Sequence, residues 1–109
     1  MILKNTVKRE SDFNKIFSKG KRVYSKSLTM IFVKGDKLKI GYSVSKKHGH
    51  AVLRNRIKRL LRAATREAFR DMENAPRLYI VFLPKIREEY LYADFLRDMN
   101  AVLKREGLK

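Results

Sequence analysis

The sequence predicts an α+β chain in which three helices pack on a mixed sheet of about four strands, and three observations carry that prediction. From Ala51 to about Met72 apolar residues recur every three or four positions. Leu78 to Leu83 is a near-continuous apolar run, and Leu38 to Ser45 alternates apolar with polar or small residues. Helical, buried-strand and half-buried-strand patterns thus stand in one chain of 109 residues, a length suited to a single domain over 1–109.

In chain order, Ser11 to Gly20 reads as a short helix, with Ser11 as N-cap, Asp12 in the first turn and Gly20 just past the end. Phe13, Ile16 and Phe17 share its one apolar face. Val23 to Lys26 reads as a short strand and Leu28 to Val33 as a longer one; Gly35-Asp36 then turns the chain into Leu38 to Ser45, so the last two segments are expected to pair as a hairpin. The long helix turns Leu53, Ile57, Leu60, Leu61, Ala64 and Ala68 inward. Asn74-Ala75-Pro76 breaks it, and the apolar strand that follows ends at Pro84, which suggests a strand, helix, strand crossover. Glu88 to Arg105 returns to helical spacing, with Tyr92, Phe95, Leu96, Met99 and Leu103 inward, Asp94, Arg97, Asp98 and Lys104 outward, and Gly107 as a stop.

The charge balance points to a partner. Lys and Arg number 27 against 11 Asp and Glu, a formal net charge of +16, and self-repulsion of that size makes sense when a polyanion neutralises it. Cysteine is absent, which excludes disulfides, thiolate nucleophiles and Cys-based zinc sites. No apolar run approaches the roughly twenty residues of a bilayer span, and Met1 to Arg9 alternates too briefly for a targeting sequence, so a cytoplasmic protein is expected.

Much of the excess lies on the long helix: Arg54, Arg56, Lys58, Arg59, Arg62, Arg66 and Arg70 face the single acid Glu67. With the apolar stripe inward, Arg54, Asn55, Lys58, Arg59, Arg62 and Arg66 form one outward surface. Guanidinium forks suit phosphate, whereas a purely structural helix would intersperse Glu. Lys46-Lys47-His48-Gly49-His50 extends that surface at the helix N-terminus. Its two histidines lack a third ligand, so they read as solvent- or phosphate-facing. Phe13 and Phe17 have two readings, core residues or a platform for unpaired bases, with Lys15, Lys19, Lys21 and Arg22 beside them. The scattered carboxylates, with Glu88 and Glu89 opening the last helix and Asp94 and Asp98 on its solvated side, offer no two-metal site. No catalytic residue in the chain is expected.

The run Arg54-Asn55-Arg56-Ile57-Lys58-Arg59-Leu60-Leu61-Arg62, preceded by Ser43-Val44-Ser45-Lys46-Lys47 and, further upstream, by Asp12-Phe13-Asn14-Lys15-Ile16-Phe17, resembles the bacterial ribonuclease P protein family over nearly the whole chain. The resemblance implies a two-layer α/β sandwich similar to the second domain of ribosomal protein S5, with a left-handed crossover where pattern alone favours a right-handed one. It also implies a role: assisting endonucleolytic removal of the 5′ leader from precursor tRNA, with the catalytic site and its Mg2+ in an RNA subunit and no cofactor on the protein. Lys46, Lys47, Arg54, Asn55, Arg56, Lys58, Arg59, Arg62 and Arg66 would then face the catalytic RNA. Phe13, Lys15, Phe17 and Ile31 would face the leader; many members carry an aromatic where Ile31 aligns, and the neighbouring Phe32 points to the opposite face.

The competing class is a ribosomal or RNA-chaperone protein with no role in cleavage, since basic charge and fold are shared widely. A membrane-surface binder fits less well, because the charge lies opposite a stripe the core needs. No small-molecule substrate is expected.

Overall fold

The computed structural model describes Val7 and residues 9–109. Apart from Val7 and Arg9, the short N-terminal alternation lies outside them. The element order is α1 (Glu10–Lys19), β1 (Lys21–Tyr24), β2 (Leu28–Lys34), β3 (Lys39–Tyr42), α2 (Ala51–Phe69), β4 (Leu78–Pro84) and α3 (Tyr92–Arg105), with a 3₁₀ turn at Lys46–His48. These are the three helices and the four-stranded mixed sheet expected, and no helix among the described residues is long and apolar enough to cross a membrane.

The strand order is β1-β2-β4-β3, antiparallel except between β3 and β4, which run parallel. The expected hairpin between β2 and β3 is therefore corrected: β4 lies between them, and the hairpin is β1 with β2, closed by the Ser25 amide donating to the Leu28 carbonyl at 3.0 Å. The reason lies in β4, whose Ile80, Val81 and Phe82 are all fully buried, on both faces, which only a central strand achieves. β3 follows as an edge strand, joined to β4 through α2.

Strand alternation splits the interior in two. Leu28, Met30, Ile40, Ile80 and Phe82 pack beneath Ile57, Leu61 and Ala64 of α2 and Phe95, Met99 and Leu103 of α3. On the opposite face Ile31 and Val81 meet Ile16 of α1 and Val7, with Phe13, Phe17, Val33 and Tyr79 around them.

Helix ends account for several boundaries. α1 begins before Ser11: Arg9 is the N-cap, its carbonyl accepting from Asp12 and Phe13, and Glu10 and Asp12 occupy the electropositive first turn. Gly20 does end α1, but with extended backbone; a Cβ there would lie 2.3 Å from the Ile16 carbonyl oxygen and 2.7 Å from Ile31 Cγ2, so only glycine lets the chain pass this close. α3 starts at Tyr92, leaving Glu88 and Glu89 in the preceding loop, and it stops as expected at Gly107, whose φ of 72° closes the helix with Leu108 donating to Leu103.

Two assignments on α3 are reversed. Tyr92 is 38% exposed, and Asp98 is buried at 5%. The Asp98 Oδ2 accepts from the Ser27 amide at 2.9 Å and the Ser27 hydroxyl at 2.5 Å, while Arg97 donates to Oδ1 at 3.0 Å. A buried carboxylate this well supplied with donors is stable where an unpaired one would not be.

Candidate nucleic-acid interface

The α2 ridge forms because one stripe of the helix is consumed by the core. Ile57, Leu61, Ala64, Thr65, Ala68 and Phe69 are buried, which turns Asn55, Arg56, Arg59, Arg62 and Arg66 out to solvent and leaves Arg54 and Lys58 half-buried on the flank. Among the described residues none of these six cations is ion-paired with a carboxylate; the helix's pairs belong to Arg70, with Glu67 at 3.1 Å and Asp71 at 3.8 Å. The Nε of Arg54 is shielded from solvent without a hydrogen-bond partner. The ridge stands beside β3. Burial pushes the Tyr42 phenol up, opposed by the neighbouring Thr65 side chain and by the charges of Arg62 and Arg66.

The 3₁₀ turn continues this surface. Lys46 and Lys47 are exposed, but His48 is only 6% exposed, which corrects its reading as a solvent- or phosphate-facing residue. Its Nδ1 accepts from the Ser45 amide at 3.1 Å, which fixes the tautomer, and its Nε2 donates to the Pro84 carbonyl at 2.7 Å. The imidazole pins the lysine turn to the end of β4. His50 is exposed and caps α2, its Nδ1 accepting from the Leu53 amide at 3.3 Å.

A cleft lies on the other face of the sheet. α1 crosses the strands: Phe17 stands by Arg22 of β1, whose guanidinium carbon is 5.9 Å from the ring centroid, while Phe13 reaches β3, where a Cβ on Gly41 would lie 3.2 Å from its Cζ. The two rings are stacked at 6.3 Å, and both are half-buried, so each seats α1 and keeps an open edge. Lys15 is exposed, its ammonium 5.6 Å from the Tyr79 ring, which Lys39 approaches at 5.1 Å. Ile31 is corrected: it lies under Ile16 with 0% exposure and offers a ligand no surface.

Past α1 the sheet end forms a shallow depression. Thr29, Leu83 and Pro84, with Ser45, Lys47 and His48 from the turn and Lys85 and Ile86 after β4, line a depression of about 390 Å³. Sequence reasoning did not find Thr29, Leu83, Lys85 or Ile86. The signal for Leu83 was present, since a strand flanked on both sides exposes its end residues where the covering helix stops. Among the described residues no group of three or more His, Asp or Glu is gathered as a metal site, and Asp94 and Asp98 are engaged by Arg87, Arg97 and Ser27.

The comparisons with known proteins agree with this architecture. Residues 1–107 match the family model described as Ribonuclease P. The ribonuclease P protein component of Bacillus mycoides is 32% identical over 112 aligned positions, covering 100% of this chain and 96% of the relative. Among solved structures, the Staphylococcus aureus RNase P protein superposes with a TM-score of 0.77 at 28% identity, covering 96% of this chain and 97% of that one. The Thermotoga maritima RNase P protein gives 0.74 at 25%, covering 94% and 97%. A basic ridge whose guanidinium groups meet no carboxylate among the described residues, an α1 seated across the sheet, and agreement over residues 1–107 place this chain in the ribonuclease P protein family.

Proposed function

We propose that the chain is the RNA-binding subunit of ribonuclease P in the cytoplasm, holding the catalytic RNA and the precursor tRNA together while the 5′ leader is cut away. Arg54, Asn55, Arg56, Lys58, Arg59, Arg62 and Arg66, continued by Lys46 and Lys47, contact the backbone of the catalytic RNA. Phe13 and Phe17 take the unpaired leader, with Lys15 as a flanking charge. The observation that carries this reading is the set of six cations on one helix that no carboxylate among the described residues engages. Charges left in that state are available to phosphate, and their binding releases counterions from the RNA.

In this reading phosphodiester hydrolysis takes place on the RNA subunit, with its magnesium ions, and the protein contributes binding and orientation. The donor chemistry of the chain supports that division, since Asp94 and Asp98 are spent on Arg87, Arg97 and Ser27. The family match over residues 1–107 favours it over a ribosomal or chaperone role. The test is reconstitution: purified protein with magnesium and precursor tRNA leaves the substrate intact, and adding the RNA subunit yields 5′-matured tRNA. Specific 5′ cleavage by the protein alone, or an RNA subunit indifferent to the protein, would overturn the proposal.

A further inference from the structure

The hairpin edge forms a further wall of the cleft. β1 is an edge strand, and its register sets Arg22 beside Ile31 and Tyr24 beside Thr29, so both side chains point to the α1 face of the sheet. Arg22 lies over the Phe17 ring and donates to the Phe17 carbonyl at 3.3 Å, which extends the aromatic surface of α1 onto β1. Two residues on, Tyr24 is 59% exposed although its neighbours Val23 and Leu28 are buried. The Tyr24 backbone is held from the other side, its carbonyl accepting from Arg105 at 2.8 Å, so the ring is mounted on a fixed strand. Its register partner Thr29 lines the depression with Leu83 and Lys47, so Tyr24 sits one strand over from that depression.

From these positions we infer that Tyr24 is a further nucleotide-binding residue, stacking on an unpaired base of single-stranded RNA whose backbone runs from the Phe17 and Arg22 pair toward Lys47 and Lys85. The inference rests on the leader-binding reading of the cleft and adds β1 to it. A π-face without a protein partner among the described residues, beside cations, suits a nucleobase: the ring supplies sequence-tolerant stacking, and Arg22, Lys26, Lys47 and Lys85 supply counter-charge for the phosphates. A protein partner would instead call for a wider apolar surface than one ring among cations.

The chain has no tryptophan, so Tyr24→Trp makes a lone emitter at the proposed contact. Titrating this variant with a short unpaired RNA of mixed sequence should quench its emission, and the same sequence as a duplex should do so far less. Emission unchanged by the single strand overturns the inference. In the reconstituted holoenzyme, Tyr24→Ala should cut the preference for precursor over mature tRNA by about tenfold, Tyr24→Phe should retain it, and both should melt like the parent protein. Full preference in the alanine variant, or equal loss in the phenylalanine variant, also overturns it. If the tryptophan is quenched while the unsubstituted holoenzyme shows no preference for precursor, the stacking site stands and the leader reading falls.

Discussion

Ser27 and Asp98, separated by 71 positions in sequence, are joined by two hydrogen bonds: the Ser27 amide at 2.9 Å and its hydroxyl at 2.5 Å both donate to Oδ2 of Asp98. The pair ties α3 to the β1–β2 hairpin, whose edge strand carries Tyr24. Asp98→Ala would leave the buried Ser27 amide without an acceptor, leave the Ser27 hydroxyl only the Asp94 carbonyl at 3.3 Å, and remove the charge that Arg97 faces. Hydrogen bonds to a charged group contribute about 1.5–3 kcal/mol, so the variant should lose about 2–3 kcal/mol. Thermal unfolding checks this, with a drop of roughly 10 °C expected.

The same carboxylate makes stability depend on acid. Burial pushes Asp98 up, but hydrogen bonds from Arg97 and from the Ser27 hydroxyl and amide outweigh it, and its pKa lies below the ordinary aspartate value of 3.8. A group depressed in the folded state contributes stability above its unfolded pKa and loses it as pH falls through the folded one. Unfolding midpoints measured from pH 6 down to pH 2 should therefore fall more steeply below about pH 4 in the parent than in Asp98→Asn, which no longer titrates there. Parallel curves would exclude Asp98 as a contributor.

For the ridge, Arg59→Ala and Arg62→Ala each remove an exposed cation that no carboxylate among the described residues engages. Folding stability should move by less than about 0.5 kcal/mol. Affinity for the RNA subunit should fall, and the dependence of log K on log salt should become shallower by about one unit for each phosphate that the variant no longer neutralises. Binding measured across a salt series reads both quantities, and an unaltered slope means that the residue touches no phosphate.

What could be read in advance follows a physical line. α2 and β4 were legible because their patterns are local: a stripe repeating every three or four residues needs a core on one side, and Leu78 to Leu83 needs one on both. The Arg54 to Arg66 ridge followed from the same geometry. Strand order was not legible, because β2 and β3 are neighbours in sequence and nothing local records that β4 comes between them. Asp98 and His48 were misplaced for a related reason. Each looks solvated among its sequence neighbours, and each is buried because of a partner 71 or 36 residues away. Ile31 erred in the opposite direction, since position on the strand fixes its face but not that Ile16 covers it.

Phe17 serves two purposes at once, and its substitution should show both. The ring is half-buried, stacked on Phe13 and overlain by Arg22. Phe17→Ala should thus cost about 1–3 kcal/mol, less than the roughly 3–5 kcal/mol of a fully buried phenylalanine. Precursor tRNA should bind more weakly relative to mature tRNA, while affinity for the RNA subunit stays within about twofold because α2 is untouched. A stability loss with full precursor preference would mark Phe17 as a core residue alone.

Gly20→Ala separates the seating of α1 from the chemistry of its side chains. No side chain on α1 changes, yet the new Cβ would lie 2.3 Å from the Ile16 carbonyl oxygen and 2.7 Å from Ile31 Cγ2, and the first of these is backbone that cannot rotate away. α1 must lift or shift from the sheet, at a cost of about 1–3 kcal/mol. Because Ile16 is fully buried against Ile31 and Val81, the displacement carries Phe13 and Phe17 with it and reshapes the cleft while leaving the α2 ridge in place. The expected outcome is reduced precursor preference, unchanged affinity for the RNA subunit and an unchanged salt slope. Should RNA-subunit affinity fall in step with precursor preference, the two surfaces are coupled through the sheet and do not act independently.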